Sequence, residues 1–387
     1  MSAAFDVVII GGGIHGVGVA QAAAVRGYRT LLLEQEVLAA GTSGRSTKLI
    51  HGGLRYLESG QIRLVRESLR EREILLGIAP DLVERKVFHL PVYAGARRTP
   101  RRIRAGLQFY RLLSSGPGGR FAALPRRAWG DLDGLQTAGL RAVFRYYDAQ
   151  TDDVALTHAV ARSARDFGAD LQVGARFIGA ERNAHGYEVR YVQGGIVGSC
   201  MAQVLVNATG PWAGPTLARI LPGPPRIDHD LVAGTHIITE GTLRSGGYYA
   251  ESPSDQRPVF ILPWRGRVLT GTTERRYVGD PGQIAPTAGE IAYLQEVLAA
   301  CFPQFSTTVV DAFAGLRVLP RGASDLSARR RDTVLLADAP VPRLISIFGG
   351  KLTTYRLTAE RVMDRFRASL PERVAQANTS RLILPGP

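Results

Sequence analysis

The sequence predicts an α/β fold in which a parallel-sheet nucleotide domain is interrupted twice by a β-rich insertion. Three observations carry that prediction. Residues 5–34 combine a strand, a glycine turn, a helix, a second strand and a terminal acid. Elements of the same kind come back near residue 147 and again at 344–348. Between them lie short β-rich stretches with their own turn punctuation.

The first strand is the apolar run Val7, Val8, Ile9 and Ile10, with Phe5 just before it, as buried parallel strands favour. The glycines after it are spaced Gly11-x-Gly13-x-x-Gly16, with Ala20 four further on. Gly11 suits the tight turn out of the strand, Gly13 lets a pyrophosphate approach the backbone, and Gly16 lets the helix lie close on the sheet. That helix is expected over 14–26, stopped by Gly27, with its N-terminus toward the pyrophosphate. A second strand, 30–33, ends in Glu34, placed to accept from a ribose 2′-hydroxyl. Glycine turns alone are common, and a plain βαβ unit is the alternative. All these parts in register within ~30 residues point to a dinucleotide.

A polar loop at 39–47 leads into KLIHGGLRYLESG at 48–60. Residues 61–78 have helical periodicity through Ile62, Leu64, Val65, Leu69, Ile74 and Leu75, and Pro80 ends it. The character changes over 81–145. A strand end at 91–93 is followed by the basic run 97–104, and a short amphipathic helix is expected over 107–113, closed by Ser-Ser-Gly-Pro-Gly-Gly. Residues 149–168 read as a helix with Asp152 or Asp153 as N-cap and Gly168 as stop. Strands are expected at 170–173, 187–192 and 200–206, and then, in a second antiparallel excursion, at 236–238, 259–262 and 267–270, with a helix at 286–301. The last return is the strand 344–348, then Gly349, Gly350, Lys351 and a helix over 352–366.

The nucleotide domain is therefore expected over 1–80, 145–222 and 330–370, the substrate domain over 81–144 and 223–329, and a tail over 371–387. A doubly interrupted nucleotide domain marks a flavoprotein with an inserted substrate domain, Rossmann-like in its first part, and not a simple nicotinamide dehydrogenase.

Composition narrows the partners. With 387 residues the chain has room for about two domains. The net charge is +14, and of the 48 basic residues only Lys48, Lys86 and Lys351 are lysine. That excess favours anionic substrates or anionic lipid; no nucleic-acid module is recognisable. Cys200 and Cys301 offer no metal or disulfide framework, so no metal is expected and a reducing cytoplasm is the default. The start MSAAFD lacks the basic segment of a signal peptide.

The blocks IIGGGIHGVGVA, TSGRSTKLIHGGLRYLE, NATGPW, PVFILPW, GTTE, AGLRVLP and SIFGGKLTTYR run from residue 9 to 356. On them the sequence closely resembles the FAD-dependent glycerol-3-phosphate dehydrogenases, which have the glycine-oxidase-like flavoprotein fold. The resemblance implies an FAD enzyme that takes sn-glycerol 3-phosphate to dihydroxyacetone phosphate, passing the C2 hydride to flavin N5. Family members continue into a helical domain beyond the segment matching Leu384–Pro387, so a short form is expected, with acceptor and oligomeric state open. Two other readings stand beside it: an amine or 2-hydroxy-acid oxidase on the same fold, and a partner-dependent subunit that holds FAD for another chain.

The resemblance also implies site residues. FAD contacts would come from Gly11, Gly13, Ile14, Gly16 and Glu34, and from the loop residues Thr42, Ser43, Ser46, Thr47, Lys48, Leu49, His51 and Gly52. Further contacts would come from Ala208, Gly210 and Trp212, and from Gly350, Lys351, Leu352 and Thr353. A phosphate clamp should be rich in arginine, whose planar fork meets two oxygens at once. Arg55, Arg317 and Arg331 stand at the matching positions, with Tyr56 and Lys351 as further substrate contacts. Lys351 opens a helix where positive potential would stabilise charge on the reduced flavin. His51 and His236 are the candidates for proton removal. His51, within the flavin-contact motif, is expected to orient the ring system instead, and for His236 a satisfied core histidine is the alternative. Last, Arg97, Arg98, Arg101, Arg102 and Arg104 precede Leu107, Phe109, Tyr110, Leu112 and Leu113. This pattern is expected to bind reversibly to an anionic membrane face, where resembling enzymes deliver electrons to quinone.

Overall fold

The computed structural model describes residues 3–114, 119–321 and 332–386. Two sheets organise them, one of nine strands and one of ten. The parallel heart of the first runs Asp170–Val173, Thr30–Glu34, Ala3–Ile10, Ile196–Asn207, Leu344–Phe348. Its registers put Val7 beside both Thr30 and Val204, and Leu205 beside Leu344. Apolar, β-branched runs suit strands buried on both faces. The helices Ile14–Val25, Asp153–Asp166 and Tyr355–Arg365 cover one face, where Val17, Ala20, Leu156, Val160 and Val362 join one core. Gly18 leaves room for the buried ring of Tyr355. Strand Ile196–Asn207 has two jobs, since its first half pairs antiparallel with Gly186–Gln193 and its end pairs parallel with Leu344–Phe348.

The second sheet is built around two long antiparallel pairs, Val83–Tyr93 with Leu140–Thr151 and His229–Thr239 with Val309–Pro320. The helix Ala288–Cys301 packs Leu294, Val297 and Leu298 onto it, and Thr287 with Glu290 forms a capping box at its start.

The α/β class and the two kinds of sheet agree with expectation, while several elements differ. The strand end expected at 91–93 closes an eleven-residue strand, Val83–Tyr93, whose charged beginning VERK hid it from the apolar pattern. The helix expected from residue 149 starts at Asp153, because Ala149 pairs with Arg85 and Thr151 with Val83 as the end of Leu140–Thr151. Asp152 is the cap and accepts from the amides of Val154 and Ala155. Asp153 turns inward instead. Strand Ala175–Asn183 was not anticipated, since its glycine and charges mask alternation.

The amphipathic helix is longer than expected, Pro100–Leu113, with Thr99 as its cap. Its apolar residues do not form one outward face, which corrects the expected bilayer-facing run. Ile103, Leu107 and Tyr110 turn inward, and Leu113 packs beside Tyr110's cluster. Phe109 and Leu112 face out, at 39% and 72% exposure. Among the described residues no helix is long and apolar enough to cross a membrane.

Candidate active site and cofactor cleft

A cleft of about 450 Å³ opens at the carboxyl ends of the parallel strands and runs toward the second sheet. Its near end is made of backbone. Gly11 has φ +105°, and a Cβ there would meet the carbonyl oxygen of Ala208 at 2.8 Å. A Cβ on Gly16 would run into the carbonyl of Gly11, so Gly16 seats the helix behind the cleft and does not line it. Glu34 closes this end, one oxygen accepting from Gly12 N at 2.6 Å and the other from Glu36 N at 2.8 Å. Gly13 and Ile14 line the wall at the helix N-terminus, where Ser43 Oγ accepts from Ile14 N at 2.9 Å.

The middle is a hydroxyl-bearing wall. Thr42, Ser43, Ser46, Thr47, Leu49 and His51 line it on one side, and Ala208, Gly210 and Trp212 on the other. Leu352 and Thr353 close it, with Thr353 Oγ1 accepting from His51 N at 3.1 Å. Two expected members stand behind this wall. Lys48 is buried, donating to Asp153 at 2.6 Å and to Gly44 O at 2.7 Å. Asp153 also accepts from Ser46, so this acid, read in the sequence only as a possible cap, anchors the loop from below. Gly52 packs under Leu69 and Tyr110 and donates to Asp148 at 3.2 Å. Asp148 in turn is held by buried Arg72 at 2.6 Å and by Tyr110 at 3.0 Å.

Sequence reasoning missed His15. It lines the cleft with its Nδ1 buried and without a hydrogen-bond partner among the described residues, its ring against Gly350, and burial lowers its pKa to about 4. Its position just after Gly13 and Ile14 was the available signal.

The far end is cationic. Arg317 and Lys351 line it, together with Tyr56 and His236. Lys351 donates to Ser68 Oγ at 2.9 Å and stands 4.6 Å from the centre of the Tyr56 ring. Arg317 donates to Thr272 Oγ1 at 3.0 Å and to Glu274 Oε1 at 3.2 Å. Arg55 does not line the cleft. It stands beside it on the same Glu274 oxygen, also at 3.2 Å. Burial opposes the Arg55 charge, but Glu274 more than offsets that, and the guanidinium holds its proton more tightly than usual. Two cations about 6 Å apart repel by about 3 kcal/mol at an effective dielectric of ~20, so the shared carboxylate is what lets them stand together. Arg331 lies outside the described residues.

His236 is buried, stacks on Phe313 at 4.9 Å and shares a hydrogen bond with Thr47 Oγ1 at 2.9 Å. Burial, Arg317 and Lys48 push its pKa down to about 3, so the ring is neutral at working pH.

Residues 6–356 match the FAD dependent oxidoreductase family. The chain belongs to that family. The glycine backbone, Glu34 and the hydroxyl wall fit a flavin dinucleotide, and as a member of this family the chain is an FAD-dependent enzyme. It is 39% identical to a glycerol-3-phosphate dehydrogenase of Pseudomonas aeruginosa, over 99% of this chain and 75% of that one. It is 36% identical to a D-erythritol 1-phosphate dehydrogenase of Brucella abortus, over 95% and 74%. Among solved structures it is similar to the glycerol-3-phosphate dehydrogenase of Bacillus halodurans complexed with FAD. That likeness has a TM-score of 0.75 at 26% identity, covering 98% of this chain and 68% of the other.

Proposed function

We propose that this oxidoreductase converts sn-glycerol 3-phosphate, or a closely related alditol phosphate, to the corresponding keto phosphate. The observation that carries the reading is the cationic far end, where Arg317 and Lys351 face the cleft and Arg55 stands beside them. A guanidinium and an ammonium lining one end of the cleft, with a second guanidinium beside them, suit a phosphate ester. The relatives named for phosphorylated alcohols support the same class.

Bound FAD supplies the two-electron acceptor for oxidation of the alcohol carbon. Arg317 holds the phosphate, Arg55 adds positive charge from beside the cleft, and Arg331 is a further proposed member. Lys351 brings positive charge to the junction of cofactor and substrate. His236 receives the alcohol proton through Nδ1, which has no hydrogen-bond partner among the described residues. A phosphate dianion at Arg317 cancels part of the field that depresses this ring. Substrate docking therefore makes His236 a stronger base. The nucleotide domain over 1–80, 145–222 and 330–370, with the rest as substrate domain and tail, remains the proposed division. For the acceptor we propose quinone at an anionic membrane surface, reached through the basic helix and its outward Phe109 and Leu112.

The test is anaerobic mixing of the FAD-loaded protein with glycerol 3-phosphate, erythritol 1-phosphate, and panels of amino and 2-hydroxy acids. Flavin bleaching by a phosphorylated alcohol is expected. Bleaching only by a carboxylate substrate would replace the reading with the oxidase alternative. No turnover with an artificial dye after bleaching would favour a partner-dependent subunit.

A further inference from the structure

Glu274 takes no part in the chemistry above, yet the cationic wall is assembled around it. Its side chain is 4% exposed, in the link between strands Arg267–Gly271 and Arg275–Tyr277. Oε1 accepts from Arg55 and Arg317, and Oε2 pairs with Arg257 at 3.2 Å. These arginines come from three distant segments: the 3-10 turn Leu54–Leu57, the loop before strand Pro258–Trp264, and strand Val309–Pro320. The surroundings are shaped to the same end. A Cβ on Gly234 would meet Arg317 Nη2 at 2.6 Å and Thr272 Oγ1 at 2.5 Å, so the glycine clears the path along which Arg317 lies.

We propose that Glu274 is a positioning residue of the phosphate site, joining Arg55 and Arg317 into one unit and setting the charge that unit presents. The inference rests on reading the far end of the cleft as a phosphate-ester site. Among the described residues three guanidiniums meet the one Glu274 carboxylate, and although Arg257 also stands 4.0 Å from Asp255, the unit keeps an excess of positive charge that suits a phosphate dianion. Without the carboxylate the arginines lose their common acceptor and repel one another. Their side chains are already 23–30% exposed, so they would turn to water and leave the ester poorly gripped.

The experiment compares wild type, Glu274→Gln and Glu274→Asp, all loaded with FAD. Each is measured for steady-state oxidation of glycerol 3-phosphate, for binding of inorganic phosphate by perturbation of flavin absorbance, for FAD content and for thermal midpoint. Glu274→Gln should raise KM and weaken inorganic phosphate by about tenfold or more, with kcat and FAD content little changed. Glu274→Asp keeps the charge and should recover much of both. Unchanged KM and phosphate affinity in Glu274→Gln would overturn the proposal. So would parallel loss of FAD, kcat and thermal midpoint in both variants, which marks a purely structural residue. A wild type that responds to neither glycerol 3-phosphate nor phosphate refutes the parent reading instead, independently of the variants.

Discussion

The two ends of the cleft are built from different materials. The end proposed for FAD is backbone: glycines whose missing side chains make the shape, and a helix N-terminus seated behind it. The end proposed for the substrate is long side chains from separate segments, held in place by a buried counter-charge. Shape of the first kind is steric and all-or-none, because backbone does not yield. Shape of the second kind is electrostatic, and it shifts by degrees with charge and pH.

The largest expected effect is at the steric end. Gly16→Val drives a side chain into the Gly11 carbonyl and should cost on the order of 4 kcal/mol or more. The measurement is yield and FAD content of purified protein; a yellow, stable variant would break the contrast. Next comes acid sensitivity, which both ends share. His15 and His236 stay neutral in the fold at pKa values of about 4 and about 3, as does His89 at about 4, against 6.5 unfolded. The unfolded chain therefore binds more protons between pH 6.5 and about 4, and stability falls as pH drops through that window. Each histidine that remains neutral contributes about 2–3 kcal/mol there. Asp148 and Asp153, whose pKa values burial raises, act in the opposite sense at acid pH. Denaturant midpoints from pH 7 to 4 test this, and a flat profile would contradict neutral burial.

Arg317→Ala should weaken transition-state binding by about 2–4 kcal/mol while FAD stays bound. Flavin content and kcat/KM on one preparation separate the two ends directly, and wild-type turnover would remove Arg317 from the substrate site. The smallest effect concerns the surface helix. With only Phe109 and Leu112 outward, vesicle attachment should be weak and salt-sensitive. Co-sedimentation with anionic vesicles at low and high salt reads it, and equal recovery in both supernatants would exclude the interface.

The same contrast explains what the sequence made legible. Gly11, Gly13 and Gly16 sit within six positions, and their spacing is itself the geometry they make, so this glycine turn was legible, while His15 beside it was not. Arg317 and Lys351 were reached through their motif blocks. Glu274 stood in plain view inside GTTE and carried no signal, since an acid beside two arginines is ordinary on any surface. Its meaning depends on partners 219 and 43 residues away. Asp153 was obscured for a different reason: Asp152 beside it satisfies the cap pattern equally well, and only burial against Ser46 and Lys48 separates them. Strand Val83–Tyr93 was shortened in the reading and strand Val309–Pro320 was missed, because charges, glycine or proline interrupt their alternation.

Strand Leu344–Phe348 completes the parallel sheet beside Ile196–Asn207 and delivers Gly349, Gly350 and Lys351 to the cleft. In the order of synthesis, the glycine motif at the start of the chain leaves the ribosome more than three hundred residues before this wall does. The nascent protein thus carries half a cofactor site through most of its translation, with pairings of long sequence separation still to be made. Such topologies fold slowly. Capture of FAD at a site built this way has to wait until the segment 344–353 has joined the sheet.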